Sequence, residues 1–364
     1  MSTALTGPTR SLGENMRAGV LAAFEEVNRK GGIEGAPLEL ICLDDGYEPA
    51  LTIPNMMKLI HEDKVMAIIG NVGTPTSVTA IPLAQKYKTL FYGAFTGAGA
   101  LRRNGGVMPY VINYRASYAE ETAAMVKALI KNKLARVDEV AFFTQRDAYG
   151  DDGFLGGLRA LIEQGLEDNN VIHARYERNT LAVEGALADF LTEEKPPKAI
   201  IMVGAYAPCA AFVRLAKKHG LDALFLNVSF VGANALAKKL GEEGDGVVIT
   251  QVVPHIDSDL PTVKAYKQAL SSWNEAYEPS FVSLEGYISA RILIESMERY
   301  KGDRYKRRYY IKALESLGKF DLGLGAPLNL DSQDHQASHM VWPTYIKDSK
   351  VQPLNWQGLL GLNP

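Results

Sequence analysis

The stretch Val65–Ser77, VMAIIGNVGTPTS, decides how this chain folds. Its first part, Val65–Gly70, is a short apolar run of strand length. It turns at Asn71–Gly73 into hydroxyl residues, where Thr74 is an N-cap candidate and Pro75 suits a first helical turn. A helix over Thr74–Lys88 follows, and Pro82 is expected to kink it. A strand, a donor-rich turn and a helix in this order form the repeating unit of a parallel sheet covered by helices.

The same unit recurs on both sides. Leu38–Asp45 and Leu90–Phe95 read as strands. Gly13–Lys30 reads as a helix with Met16, Val20, Phe24 and Val27 on one face, and a second helix lies around Pro54–Glu62. Further on, strands are expected at Glu139–Arg146, Val171–Tyr176, Ala199–Gly204 and Ala223–Phe230, with helices at Asp151–Gln164, Val183–Glu193 and Pro208–His219. Between and after the two sets run extended segments, Tyr110–Arg115 and Gly246–Val253. Helices over Leu260–Ala276 (N-cap candidates Asp257, Ser258 and Asp259) and Phe281–Tyr300 follow, and strand character returns from Met340. The expected fold class is α/β, with two doubly wound parallel-sheet lobes joined by a multi-strand hinge. Residues 1–115 and 253–328 form lobe 1, and 116–252 and 329–364 form lobe 2. Ligands bind such sheets outside the carboxyl ends of their strands, and two such ends across a hinge make a closing trap.

Composition narrows the function. A chain of 364 residues with 47% apolar and 22% charged residues supports two cores. A formal net charge of −3 supplies no basic field, which argues against a nucleic-acid partner. No apolar run reaches membrane-span length. The start MSTALTGPTRSLG lacks the basic and apolar regions of a secretory signal. Cys42 and Cys209 read as two small buried side chains and indicate no disulfide framework.

Catalytic and cofactor motifs are missing from the sequence: there is no GxxxxGK[ST] loop, no GxSxG elbow and no HExxH. Gly97-Ala98-Gly99 lacks the third glycine of a dinucleotide fingerprint. His335 and His339 are spaced i, i+4 in DSQDHQASH, yet the segment is polar and reads as a turn, so no metal and no cofactor are expected. The basic run Lys301–Tyr310 (KGDRYKRRYY) reads as a solvated helix face. Ligand capture is the chemistry the loops suit. Gly73 and Thr74, then Phe95, Thr96 and Gly97, offer backbone donors and hydroxyls after neighbouring strands. An anion at a helix start gains about 0.3–1 kcal/mol when exposed. In the second set, Tyr149, Tyr206, Ser229 and Phe230 follow strand ends and suit a small-molecule pocket.

In ordered succession the chain carries LTGP at Leu5–Pro8, NRKGGIEGAPLEL at Asn28–Leu40, Asp44-Asp45, IIGNVGTPTS, AYGDDG, VGAY, GVVITQVVP and FVSLEGY. With these it resembles, nearly end to end, the type I periplasmic binding proteins of the leucine/isoleucine/valine-binding group, the solute-binding components of ABC importers. The resemblance implies a non-catalytic protein, a small-molecule ligand and a membrane permease as partners, and a monomer. It implies a periplasmic or extracellular location, with a signal trimmed from a start that falls almost inside the family's first strand. It places the ligand carboxylate on Gly73/Thr74 and the Phe95–Thr96 loop, sets Tyr149 and Tyr206 over the ligand, and gives Leu12 the place of an aromatic lid residue. Two departures stand out. Tyr47 and Gly73 occupy the positions of the family's disulfide, and Ser229 stands where amino-acid binders hold the ligand ammonium with a carboxylate. The ligand expected from the latter is an acid or amide with an apolar body and no α-ammonium. An amino acid held through Asp151 or Glu285 is the alternative. The same fold also serves as the sensor domain of membrane receptors, and an enzyme on this scaffold would need a nucleophile–base pair that the sequence does not display.

Overall fold

The computed structural model describes residues 1–102, 107–167 and 171–362. Along the chain, β1 (Ser2–Thr3), α1 (Arg10–Asn28), β2 (Leu43–Asp44), α2 (Pro49–Met57), β3 (Ala67–Ile69), α3 (Thr74–Lys86), β4 (Leu90–Tyr92) and β5 (Val111–Ile112) come first. Then α4 (Tyr118–Lys131), β6 (Val140–Gln145), α5 (Ala148–Glu163), β7 (His173–Tyr176), α6 (Glu184–Leu191), β8 (Ala199–Val203), α7 (Tyr206–Lys218), β9 (Leu224–Asn227), α8 (Ala233–Leu240) and β10 (Val248–Gln251) follow. The chain ends with α9 (Pro261–Trp273), α10 (Phe281–Arg299), α11 (Arg308–Glu315), β11 (Gly318–Phe320), β12 (Leu328–Leu330), β13 (Trp342–Lys347) and β14 (Lys350–Pro353).

The described residues divide into two compact units, Met1–Arg115 with Val253–Met340 and Ala116–Val252 with Val341–Pro364. The chain therefore passes between units three times. Residues 329–340, expected in lobe 2, group with the first unit. The reason is a backbone ladder: Asn113 donates to the His335 carbonyl, Ala337 to Asn113 and Ser338 to Tyr114.

In the first unit, β3, β4 and β5 form a parallel sheet and β1 pairs with β2 in parallel. The expected strand Leu38–Asp45 is realised only at Leu43–Asp44. Upstream of it, Leu38 and Ile41 line a cavity of about 340 Å³ shared with Phe24, Met66, Ile69 and Leu293. The Ile41 carbonyl accepts from the Met1 amino group (2.8 Å), and the Leu38 backbone is tied to the Asn28 side chain instead of to a strand. Cys42, in the same segment, is half-buried where a buried thiol was expected, whereas Cys209 is fully buried. The core is a helix pair: α1 buries Leu12, Met16, Val20, Phe24 and Val27, and α10 buries Leu284, Ile288, Ile292 and Leu293. The two helices approach so closely that a Cβ on Gly19 would lie 1.9 Å from the Ser283 carbonyl oxygen. Two turn assignments change. The N-cap of α9 is Leu260, not one of the three preceding polar residues, because Pro261 opens the helix and needs no donated amide. The second helix starts at Pro49 and widens into a π-helical turn over Lys58–Glu62.

In the second unit, β7-β6-β8-β9-β10 is parallel, and β13 and β14 extend it antiparallel to give a seven-stranded mixed sheet. The tail closes the edge that a purely parallel sheet would leave open. The inward strands VAFFTQ and AIIMV are buried along their whole length, as parallel strands covered on both faces must be.

Candidate functional site

In the first unit the candidate residues gather where β3 and β4 end. Gly73, with φ +101°, is the N-cap of α3, and Thr74 is already helical, so Thr74 is not the cap the sequence suggested. The left-handed side of φ space is closed to most side chains, and a Cβ here would also lie 2.0 Å from Tyr47 Cε2. Tyr47 and Gly73, the positions matched to a disulfide, are thus in contact. The Gly73 amide donates to the Phe95 carbonyl (3.1 Å) and the Phe95 amide to the Asn71 carbonyl (2.8 Å). The Gly73 amide is therefore spent on joining the two loops. Freed from capping, the Thr74 hydroxyl instead meets the Thr96 hydroxyl at 2.7 Å, and Thr96 Oγ1 also accepts from the Ala98 amide at 3.2 Å. Gly97 lies between these anchored residues. Ser77, in the first turn of α3, is buried, and its hydroxyl has no hydrogen-bond partner among the described residues. The Ser77 amide donates to the Gly73 carbonyl (3.1 Å) and Pro75 has no N–H, so the first-turn amides without a partner inside the helix are those of Thr74 and Thr76. Leu12 is buried on α1.

Beneath this loop sits a charge pair that sequence reasoning missed. Arg115 and Glu285 are both buried, with Nη1 3.5 Å from Oε1. The Arg115 guanidinium lies 4.9 Å from the centre of the Phe95 ring. Glu285 is therefore committed to an arginine, and so is Asp151, 2.5 Å from Arg175. These are the two carboxylates named for the amino-acid alternative, and each faces an arginine.

In the second unit the candidate residues gather at the carboxyl ends of β6, β8 and β9. Asp147 caps α5 by accepting from the Tyr149 amide (3.0 Å), and Gln145 donates to its other oxygen (2.7 Å). Burial keeps its carboxyl above the usual range despite these donors. This cap aims Tyr149, whose hydroxyl donates to the Gly204 carbonyl at 3.3 Å. The Tyr149 ring lies 4.6 Å from Phe230 and 5.0 Å from Tyr118, centre to centre. Tyr206 opens α7, after a turn in which the Ala205 amide donates to the Tyr176 hydroxyl (3.0 Å). Ser229 and Phe230 do not end β9 as expected; the strand stops at Asn227 and they form a 3-10 turn. The Asn227 side-chain amide is fully buried, with no partner recorded for either end among the described residues.

Three residues of this cluster were invisible to the strand-end reading: Tyr118, Glu121 and Thr250. Glu121 accepts from the Ser229 amide (2.7 Å), the Ser229 hydroxyl (3.0 Å) and the Thr250 hydroxyl (2.6 Å). A signal for them existed. Ser117-Tyr118-Ala119-Glu120 is a capping box, with the Ser117 amide 2.6 Å from Glu120, and it fixes the start of α4. From that start, positions 118 and 121 fall on one helix face.

The remaining motifs are structural. His335 is not on a helix; its Nδ1 meets the Val111 carbonyl at 2.9 Å and Nε2 meets Glu315 at 3.3 Å. In the basic run Lys301, Lys306 and Arg308 are exposed and α11 starts at Arg308, while two of its arginines are tied to backbone carbonyls. Arg304 donates to the Ile33 carbonyl (2.7 Å), and Arg307 to those of Ile60 (2.7 Å) and Val65 (3.0 Å).

Comparison with known proteins agrees with the fold. A family model described as periplasmic binding protein matches residues 1–350. A solved structure of a possible leucine/isoleucine/valine-binding protein from Rhodopirellula baltica SH 1 is 53% identical, with a TM-score of 0.95 over 99% of this chain and 96% of that one. A substrate-binding periplasmic protein from Ralstonia solanacearum superposes at 0.87, with 25% identity over 97% of this chain and 98% of that one. The leucine-, isoleucine-, valine-, threonine- and alanine-binding protein of Pseudomonas aeruginosa is 23% identical over 81% of this chain and 76% of its own.

Proposed function

Because the chain belongs to the periplasmic binding protein family, a family of non-catalytic solute-binding proteins of ABC importers, we propose that it captures a small carboxylate with an apolar body by closing its two units around it. Family members work in the periplasm or outside the cell, and no helix among the described residues is long and apolar enough to cross a membrane. The protein acts as a monomer that hands its solute to a membrane permease.

The observation that carries this reading is the Ser77 hydroxyl. A buried hydroxyl without a partner costs about 1–3 kcal/mol, and this one sits in the first turn of α3 beside the Thr74–Thr96 hydroxyl pair. A carboxylate placed there would satisfy the Ser77 hydroxyl together with the Thr74 and Thr76 amides, and the positive end of the helix favours its charge. Tyr149, Tyr206 and Phe230 supply the apolar cover from the second unit, and Leu12 and Phe95 that of the first. The names of the relatives, which bind leucine, isoleucine and valine among others, support an aliphatic body.

The test is a thermal-shift and calorimetry panel of aliphatic and aromatic carboxylic acids, their amides and α-amino acids. At a hundred times its dissociation constant, a true ligand adds about 2.7 kcal/mol to apparent stability. Carboxylates are expected to bind, and Ser77→Ala is expected to weaken them about tenfold while their amides change less. A panel in which amides bind as well as acids, or in which nothing binds, contradicts the reading.

A further inference from the structure

We propose that Gln145 is a positioning residue that joins the turn before Tyr149 to the turn before Tyr206, so that the two tyrosines meet a solute as one fixed pair. The proposal rests on the binding reading above for the role of the tyrosines and adds what holds them. Gln145 ends β6 and Tyr176 ends β7, and the two are partners in the parallel register of these strands. Both are buried. The Ala205 amide, just before Tyr206, donates to the Tyr176 hydroxyl at 3.0 Å. That hydroxyl has a single proton, which it donates to Gln145 Oε1 at 3.0 Å. Gln145 Nε2 donates in turn to Asp147 Oδ2 at 2.7 Å, and Asp147 Oδ1 accepts from the Tyr149 amide at 3.0 Å.

The middle of this relay needs a side chain that accepts at one end and donates at the other, and a primary amide does both. An apolar side chain there would strand the Tyr176 hydroxyl, and a carboxylate would face Asp147. Bonds in such a chain polarise one another, so the loss of one weakens the rest. Tyr176 is itself held firmly: its ring stacks on Phe143 with centres 5.2 Å apart. A Cβ on Gly204 would lie 3.0 Å from the Tyr176 hydroxyl oxygen, so the turn before Tyr206 presses directly on the relay. The Tyr149 hydroxyl donates to the Gly204 carbonyl at 3.3 Å, which ties the same two helix starts a second time. Charged neighbours are Arg178, 3.6 Å from Asp147 Oδ2, and Arg175, which donates to the Gln145 carbonyl (3.2 Å) and to Asp151. The starts of α5 and α7 therefore move together, although their anchors are scattered from Gln145 to Ala205 in the chain.

Two substitutions isolate the relay. Tyr176→Phe keeps the ring and removes both central bonds. Gln145→Glu keeps the size and the bond from Tyr176 but sets two carboxylates at hydrogen-bond distance, where both cannot ionise readily. With a proton between them the relay is whole, and as that proton leaves it opens. Hydrogen exchange on the whole protein without ligand, read by mass spectrometry over residues 146–151 and 204–208, measures the coupling. In Tyr176→Phe both segments are expected to exchange about threefold faster than in the parent, or more. In Gln145→Glu both are expected to match the parent at about pH 5.5 and to exceed it at about pH 8. The coupling is overturned if only residues 204–208 speed up in Tyr176→Phe, or if Gln145→Glu keeps the same ratio to the parent at both pH values. Calorimetry with L-leucine and 4-methylpentanoate reads the consequence for binding. Whichever compound the parent binds is expected to bind about fivefold more weakly to Tyr176→Phe, and to Gln145→Glu at the higher pH alone. Unchanged affinities beside coupled exchange overturn the role of the relay in binding and leave the solute-binding reading intact. A parent that binds neither compound overturns that role as well; exchange then decides the coupling by itself, and the wider panel decides the carboxylate reading.

Discussion

Glu285→Ala is expected to destabilise the first unit by about 3–5 kcal/mol, because it strands the Arg115 guanidinium as a buried charge. Both side chains are almost completely shielded, at 0% and 3% exposure, so water cannot replace the lost carboxylate. The substitution also empties a position on α10, whose neighbours are buried along most of the helix. A double replacement, Arg115→Met with Glu285→Leu, should recover most of the loss, since well-packed apolar residues often match a buried ion pair in stability. Denaturant titration of the three variants measures this. The single variant would contradict the account if its midpoint matched that of the parent. Because the Arg115 guanidinium also lies 4.9 Å from the Phe95 ring, the same substitution should loosen the Phe95–Thr96 loop.

The largest effect on binding is expected from Tyr149→Ala, a loss of about 2 kcal/mol or more, roughly thirtyfold in affinity. The residue joins three features of the second unit: its ring touches Tyr118 and Phe230, its hydroxyl reaches the Gly204 carbonyl, and its amide is tied to the Asp147 cap. Truncation removes the first two and leaves the third. Tyr149→Phe separates them, because it keeps the ring and gives up the hydroxyl with its bond to Gly204. That variant should lose about 0.5–1.5 kcal/mol of stability with affinity close to the parent. Calorimetry in which Tyr149→Ala binds as the parent does would place the ligand elsewhere.

Much of this architecture was legible because burial on both faces forces parallel strands into continuous apolar runs, as in VAFFTQ and AIIMV, and because glycine and hydroxyl residues punctuate their ends. Legibility failed where the outcome depended on what lies alongside. Leu38–Cys42 has strand composition, yet only Leu43–Asp44 pairs as a strand, and the Leu38 backbone bonds to the Asn28 side chain. Thr74 has the chemistry of a helix cap, but the left-handed Gly73 takes that position and sends the hydroxyl to Thr96. The candidate residues that follow strand ends could be named from local sequence. Arg115, Glu121 and Thr250 could not, since each acts through a residue distant in sequence: Glu285, Ser229 and, for Thr250, Glu121 itself. Asp151 and Glu285 looked available for an ammonium because sequence does not display the arginines that hold them.

Closure of the two units on a solute is the central claim, and small-angle scattering tests it most directly. The chain passes between its units three times, near Arg115, Val252 and Met340. The measurement compares the radius of gyration of the protein alone and with a saturating carboxylate identified by the panel. The account predicts a smaller radius with ligand, and a return to the larger one in Tyr149→Ala at the same ligand concentration. An identical radius with and without a saturating ligand would contradict capture by closure.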